Sequence, residues 1–246
     1  MSAKWTWNKC FPYPKSKRQV LEGLRHYDVV EGLLPSVTTI LSNTQSEEKR
    51  KKLAEWRERE GEEQAQRIMD QSAARGTIMH NYLEGYLKGQ NNLDLSPLGV
   101  VAGGMATKVM EDGIFDKLTE IWGSEVVLFY PGLYAGQTDV VGIYEGEQSI
   151  VDFKQSNKPK RREWIDDYFM QSAAYAMAHN QIYGTNISKG VILVCTPDLY
   201  FQRFIVEGAE FQDYAKQWLA KVATFYAKRQ EKGIQNPKTI GLFQGK

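Results

Sequence analysis

The stretch YAGQTDVVGIYEGEQSIVDFKQS, residues 134–156, reads as two strands joined at Glu145-Gly146, a dipeptide suited to a tight turn. Positions equidistant from such a turn face each other, and Asp139 and Asp152 are such a pair. Side chains alternate along a strand, so Lys154 emerges on the face of Asp152 while Val151 and Phe153 point into the core. Two carboxylates side by side repel unless a cation stands between them, and a divalent metal is the simplest candidate. The plain alternative is a pair of solvated strand ends with an incidental lysine. Against it, Ile150, Val151 and Phe153 mark an internal strand, where an unpaired acid is costly. Glu125, fourteen residues before Asp139, opens the apolar strand EVVLFY and brings a third carboxylate to the same sheet edge.

Outward from the hairpin, periodicity predicts strands at 125–130, 133–144 and 148–154, a helix at 163–182, strands at 188–196 and 200–207, and a helix at 209–231. Upstream, residues 1–35 read as an irregular aromatic and basic arm with a short hairpin. Thr44, three before Glu47, has capping-box spacing and opens a charged helix to about residue 71, with Leu53, Trp56, Ala65 and Ile68 as its sparse apolar side. A second helix runs from about Ala73 to Lys88 and stops at Gly89; a third starts at Ser96-Pro97 and runs to about Trp122. The fold class is α/β with a mixed central sheet flanked by helices in αβββαβ order. The chain divides into 1–95, an N-terminal arm and helices contributing to a cleft, 96–231, the core, and 232–246, a tail.

The 246 residues suffice for one sizeable core, and 31 basic against 30 acidic residues give a net charge of +1, so a polyanion must be held by local basic patches. Two cysteines, Cys10 and Cys195, stand in no metal-binding spacing, which argues against a zinc knuckle or a four-cysteine cluster. No signal peptide or membrane span is visible, so a soluble cytoplasmic protein is expected.

Glu125, Gly136-Gln137-Thr138-Asp139 and Val151-Asp152-Phe153-Lys154 together resemble the signature of the PD-(D/E)XK nuclease superfamily and its restriction-endonuclease-like core. Gln171 and Tyr175, one helical turn apart, have the spacing of the RecB-like branch, and His80 in RGTIMH stands where that branch places a histidine. LPSVTTIL at 34–41, with Trp56 and the His80 helix, is similar to the mitochondrial genome maintenance exonucleases and their small phage-encoded relatives. The cluster-binding cysteines of some relatives are missing and no Walker A sequence occurs, so neither an iron–sulfur cluster nor ATP is expected.

The resemblance implies that His80, Asp139, Asp152 and the backbone carbonyl of Phe153 hold one or two Mg2+ or Mn2+ ions, with Glu125 a direct or water-mediated ligand. Lys154 would position water and stabilise charge on phosphate, with Gln171 and Tyr175 flanking the site. Five of the nine positions from 154 to 162 are basic, which puts Lys158, Lys160 and Arg161 where DNA phosphates would pass. Trp56 and Trp164 read either as rings that stack on bases or as core, and Ser36, Thr38 and Arg75 as phosphate contacts. The expected activity is metal-dependent exonucleolytic hydrolysis of single-stranded DNA from free ends or flaps, in a bacterial or phage-infected cell. A structure-selective endonuclease, a non-catalytic DNA-binding protein and a small-molecule phosphoesterase are the alternatives.

Overall fold

The computed structural model describes residues 5–90 and 92–231; the expected tail at 232–246 lies outside the described residues. Its centre is a six-stranded mixed sheet. Strands β5 (Leu118–Tyr130), β6 (Tyr134–Tyr144) and β7 (Glu147–Gln155) form an antiparallel meander. The hairpin register is the expected one, with Val140 opposite Val151 and Tyr144 opposite Glu147. Glu145 and Gly146 both have positive φ, 49° and 83°, the backbone that a two-residue turn between twisted strands requires.

Helix α5 (Asp166–Tyr183) then crosses over to β8 (Lys189–Cys195), which pairs parallel to β7, and β9 (Phe201–Glu207) returns antiparallel before α6 (Gly208–Glu231). All of β8 is buried, as a central strand covered on both faces must be. One apolar layer under α5 and α6 contains Ile150, Ile192, Phe169 and Trp218. The layer on the other face contains Val151, Phe153, Leu193, Met79 and Met105, and packs α3 (Glu62–Leu87) and α4 (Pro97–Val109). As anticipated, Ser96 caps α4, accepting from Gly99 N–H at 3.0 Å, with Pro97 in the first turn.

Four boundaries differ from the sequence expectation. The helix from Ser96 does not reach Trp122: a π turn (Met110–Ile114) ends it, and β5 begins at Leu118. Gly113 packs so tightly there that a Cβ would lie 2.9 Å from Leu193 and Phe201, a tertiary constraint that local periodicity does not register. Ser46, not Thr44, caps the charged helix α2 (Glu47–Glu60); Thr44 instead closes α1 (Val37–Asn43), its hydroxyl donating to Ile40 O at 2.7 Å. Gly61, at φ 80°, then separates α2 from α3, so the break expected near residue 72 falls at 61.

The N-terminal extension is only partly helical. Strands β2 (Lys17–Leu21), β3 (Leu24–Val29) and β4 (Gly32–Pro35) form a second antiparallel sheet, joined to the main one through Tyr27, Leu34, Val127 and Phe129. β1 (Thr6–Trp7) adds parallel to β5 as an edge strand, and the indoles of Trp5 and Trp7 both donate to Leu87 O at 3.2 Å.

Candidate active site

At the end of the main sheet a cleft of about 610 Å³ opens between α3, α5 and the N-terminal sheet. His80, Glu125, Asp139, Asp152, Phe153, Lys154, Gln171, Tyr175, Ser36 and Thr38 all line it. Segments far apart in sequence therefore converge on one place.

The β6–β7 ladder closes at Val140 and Val151, just before the two aspartates. Beyond it the Asp139 carboxylate takes over the pairing, accepting from Phe153 N–H at 2.6 Å. Phe153 buries its ring in the core, so it offers the cleft its backbone. On β5, Ser124 faces Val140 and Val126 faces Thr138, which sets Glu125 against Asp139. Glu125 has φ 53°, a left-handed backbone that an L residue adopts at a cost. Gln137 secures it, donating from Nε2 to the Glu125 carboxylate at 2.7 Å.

His80 Nδ1 lies 3.3 Å from Asp139 Oδ1 and 3.8 Å from Glu125 Oε1. One ligand atom from each of these three residues lies within 4.8 Å of the others. Asp152 stands apart from that trio: it is 2% exposed, and its Oδ2 lies 2.6 Å from Lys154 Nζ. That Oδ2 is buried and makes no well-aligned hydrogen bond, and the Lys154 ammonium is its close partner. Three carboxylates, an imidazole and a backbone carbonyl gathered at one place are a donor set that fits magnesium or manganese.

Electrostatics express the crowding. Burial pushes the Asp152 carboxyl up to about 6, against the pull of Lys154 and with the push of Asp139. Burial alone would depress the His80 imidazolium, but Asp139 and Glu125 overcome it and lift the group to about 10. Burial likewise opposes the Lys154 charge, yet Asp152 and Asp139 raise its pKa and keep it an ammonium. Burial raises Glu125, whereas for Asp139 the His80 charge outweighs burial and holds the carboxyl low.

Gln171 and Tyr175 share one face of α5, and Gln171 Nε2 donates to the Tyr175 hydroxyl at 3.0 Å. Gly136 admits that ring: a Cβ there would sit 2.8 Å from Tyr175 Cε1. Ser36 caps α1, accepting from Thr39 N–H at 3.0 Å, and its hydroxyl lies 2.9 Å from that of Thr38.

The remaining sequence candidates lie outside the acidic cleft. Trp56, Lys158, Lys160 and Trp164 line a second groove of about 730 Å³, which meets the first at Gln155. Arg161 lines neither, its guanidinium instead lying 5.1 Å from the Trp164 ring centroid. Arg75 is buried behind Gln155, donating to its Oε1 at 2.9 and 3.1 Å and also contacting Asn157. Among the described residues no carboxylate pairs with it, so a buried guanidinium rests on neutral amides alone. Sequence reasoning missed Arg18, Arg25, Glu84, Gln137 and Gln155, which also line the cleft. Gln137 sits inside the GQTD motif; the others carry no local signal.

An αβββαβ core with clustered acids and a lysine two residues beyond one of them defines the class of the PD-(D/E)XK nucleases, to which this chain is related. The relatives it matches are the human mitochondrial genome maintenance exonuclease 1, 26% identical over 217 residues (84% of this chain, 62% of that protein), and its mouse counterpart, 30% identical over 177 residues (67% and 50%). The chain thus spans between half and two thirds of the length of these relatives. No protein-family model matches it. Among solved structures, a Eubacterium rectale protein proposed to be an exonuclease aligns at TM-score 0.46 and 16% identity, covering 69% of this chain and 72% of that one. An alkaline exonuclease from Laribacter hongkongensis aligns at TM-score 0.29 and 15% identity, covering 67% and 98%.

Proposed function

We propose that the chain is a metal-dependent deoxyribonuclease that trims single-stranded DNA from free ends or flaps. The observation that carries this reading is the convergence of His80, Glu125, Asp139, Asp152 and Lys154 in one cleft, with one ligand atom each of His80, Glu125 and Asp139 within 4.8 Å of the others. In this reading His80, Asp139, Asp152 and the Phe153 carbonyl hold Mg2+ or Mn2+, with Glu125 beside them. A divalent ion there supplies Lewis acidity to the phosphoryl oxygens and a more acidic water. Lys154, kept cationic by Asp152, stabilises charge that develops on the phosphate. Gln171 and Tyr175 border the cleft from α5 and orient the group beside Asp152.

The strand passes from the acidic cleft across Gln155 into the second groove, where Lys158 and Lys160 meet phosphates and Trp56 and Trp164 offer stacking faces. Arg75 lends its uncompensated charge at the crossing. Residues 1–95 supply walls of the path and 96–231 the nuclease core. Among the described residues no helix is long and apolar enough to cross a membrane.

The test is digestion of end-labelled linear single-stranded DNA beside its covalently closed circle, with magnesium, manganese or EDTA. Metal-dependent loss of the linear strand with the circle intact is expected. Cutting of the circle converts the reading to an endonuclease, and no metal-dependent cutting of either overturns it.

A further inference from the structure

The cleft is electrostatically lopsided. Four carboxylates line it, Glu84 on α3 and Glu125, Asp139 and Asp152 on the sheet, and its two nearby cations, His80 and Lys154, are already engaged with carboxylates. The α3 wall presents the uncharged Ser72, Ala73, Gly76, Thr77 and Asn81 beside His80 and Glu84. The opposite wall, the N-terminal sheet, presents Arg18 and Arg25. Both are exposed, and among the described residues neither has a carboxylate within ion-pair distance.

Their placement follows from register. Arg18 on β2 faces Tyr27 on β3, and Val20 faces Arg25, so the two arginines share one face of the sheet as diagonal neighbours. Their charges are felt at Tyr27, where burial raises the hydroxyl and both guanidinium groups pull it back. The sheet is also fixed to the cleft at this point: the Arg25 carbonyl accepts from Ser36 N–H at 2.9 Å and from the Thr39 hydroxyl at 3.0 Å.

Resting on the nuclease reading above, we infer that Arg18 and Arg25 form a phosphate subsite that fixes the facing of a bound strand, sugar–phosphate toward the N-terminal sheet and bases toward α3. A polyanion drawn over four carboxylates needs cations that are not already neutralised, and within the cleft these two arginines supply them. The α3 wall suits bases for the converse reason. From Ser72 to Thr77 the side chains that line the cleft are uncharged and short.

The experiment is a salt titration of the full chain binding fluorescent oligo-dT in EDTA. For single strands the slope of log affinity against log salt is about −0.7 per phosphate contacted. Arg18→Gln and Arg25→Gln are each expected to flatten the slope by about 0.7, equally for oligo-dT and oligo-dA, while Arg→Lys at either position retains it. Lys216→Gln, on α6 and paired with Asp213, should leave the slope unchanged. Parental slopes in both glutamine variants overturn the subsite, whereas absence of metal-dependent cutting in the digestion above overturns the nuclease reading itself. For the facing, 4-thiothymidine in the strand should crosslink to residues 72–81. Crosslinks to 18–27 instead overturn it.

Discussion

Glu125 and Asp139 face each other across β5 and β6, and the residue that brings its carboxylate to that meeting does so from a left-handed backbone. Strain and like charge are thus concentrated where the metal-ligand candidates gather. Glu125→Gly removes both, at the cost of some unfolded-chain entropy. It is expected to stabilise the protein by roughly 0.5–1 kcal/mol in urea denaturation while lowering cleavage sharply. A variant that loses stability would show that the Glu125 contacts with His80 and Gln137 outweigh the strain.

Asp152→Asn and Lys154→Met test the chemistry without reshaping the core. Each is expected to reduce cleavage by about a thousandfold or more, a loss of several kcal/mol of transition-state stabilisation. The aspartate change removes a charge that burial already disfavours but leaves Lys154 unpaired. Removing one partner of a buried pair costs about 3–5 kcal/mol, so a fall in stability of up to that size is expected by thermal melt. Near-wild-type activity in either purified variant would remove that residue from the site.

Gly136→Ala places a methyl against Tyr175, at 2.8 Å from Cε1. Overpacking of this kind costs about 1–3 kcal/mol. Denaturant midpoint should fall, and activity should fall with it because Tyr175 and its Gln171 partner border the reacting centre. Restoration of both by adding Tyr175→Phe is not expected, since the ring itself makes the closest contact.

The second groove makes a separate prediction. Trp164 is 57% exposed and contributes little to the core. Trp164→Ala should change stability by less than about 0.5 kcal/mol and weaken single-strand binding by about 1–3 kcal/mol, the range for loss of one stacked base. Unchanged affinity would take the strand out of this groove.

One acid-sensitive contribution to stability lies away from the site, at His179. Its ring is buried among Phe11, Tyr13, Trp122 and Tyr183, with Nε2 3.0 Å from the Tyr13 hydroxyl and Nδ1 2.7 Å from that of Thr185. Burial lowers its pKa to about 4 from an ordinary 6.5. The unfolded chain therefore takes up a proton at higher pH than the folded one. The His179 contribution is full above pH 6.5, declines as pH falls toward 4, and levels off below it, for a total on the order of 3 kcal/mol, while the raised Asp152 carboxyl acts in the opposite sense over the same range. His179→Gln should remove that component, read as the difference between the two urea stability–pH curves.

Much of this was legible from residues alone. The hairpin register follows from Glu145-Gly146 and a strict two-residue alternation, and the structure realises it at Val140 and Val151. Ser96-Pro97 marked its helix start because capping is local chemistry. Gly61 did not mark its break, because glutamates on either side continue a helical pattern and only the φ of 80° reveals the turn. Leu118 to Trp122 read as helix because the constraint that ends α4 early is Gly113 against Leu193 and Phe201, eighty or more residues away in the chain. Arg18 and Arg25 were invisible for the same reason, since an arginine in a basic arm acquires meaning only once the arm is folded over a cleft.

Helix α2 has no buried residue, and its side chains attach to the body through contacts such as Lys49 to Asp167 on α5, at 2.9 Å. It also supplies Trp56 and Arg59 to the second groove. A wall fastened largely by charge pairs is one whose hold weakens as counterions are added. Ionic strength therefore reaches this protein twice, once by screening the strand and once by loosening the bank along which the strand would run.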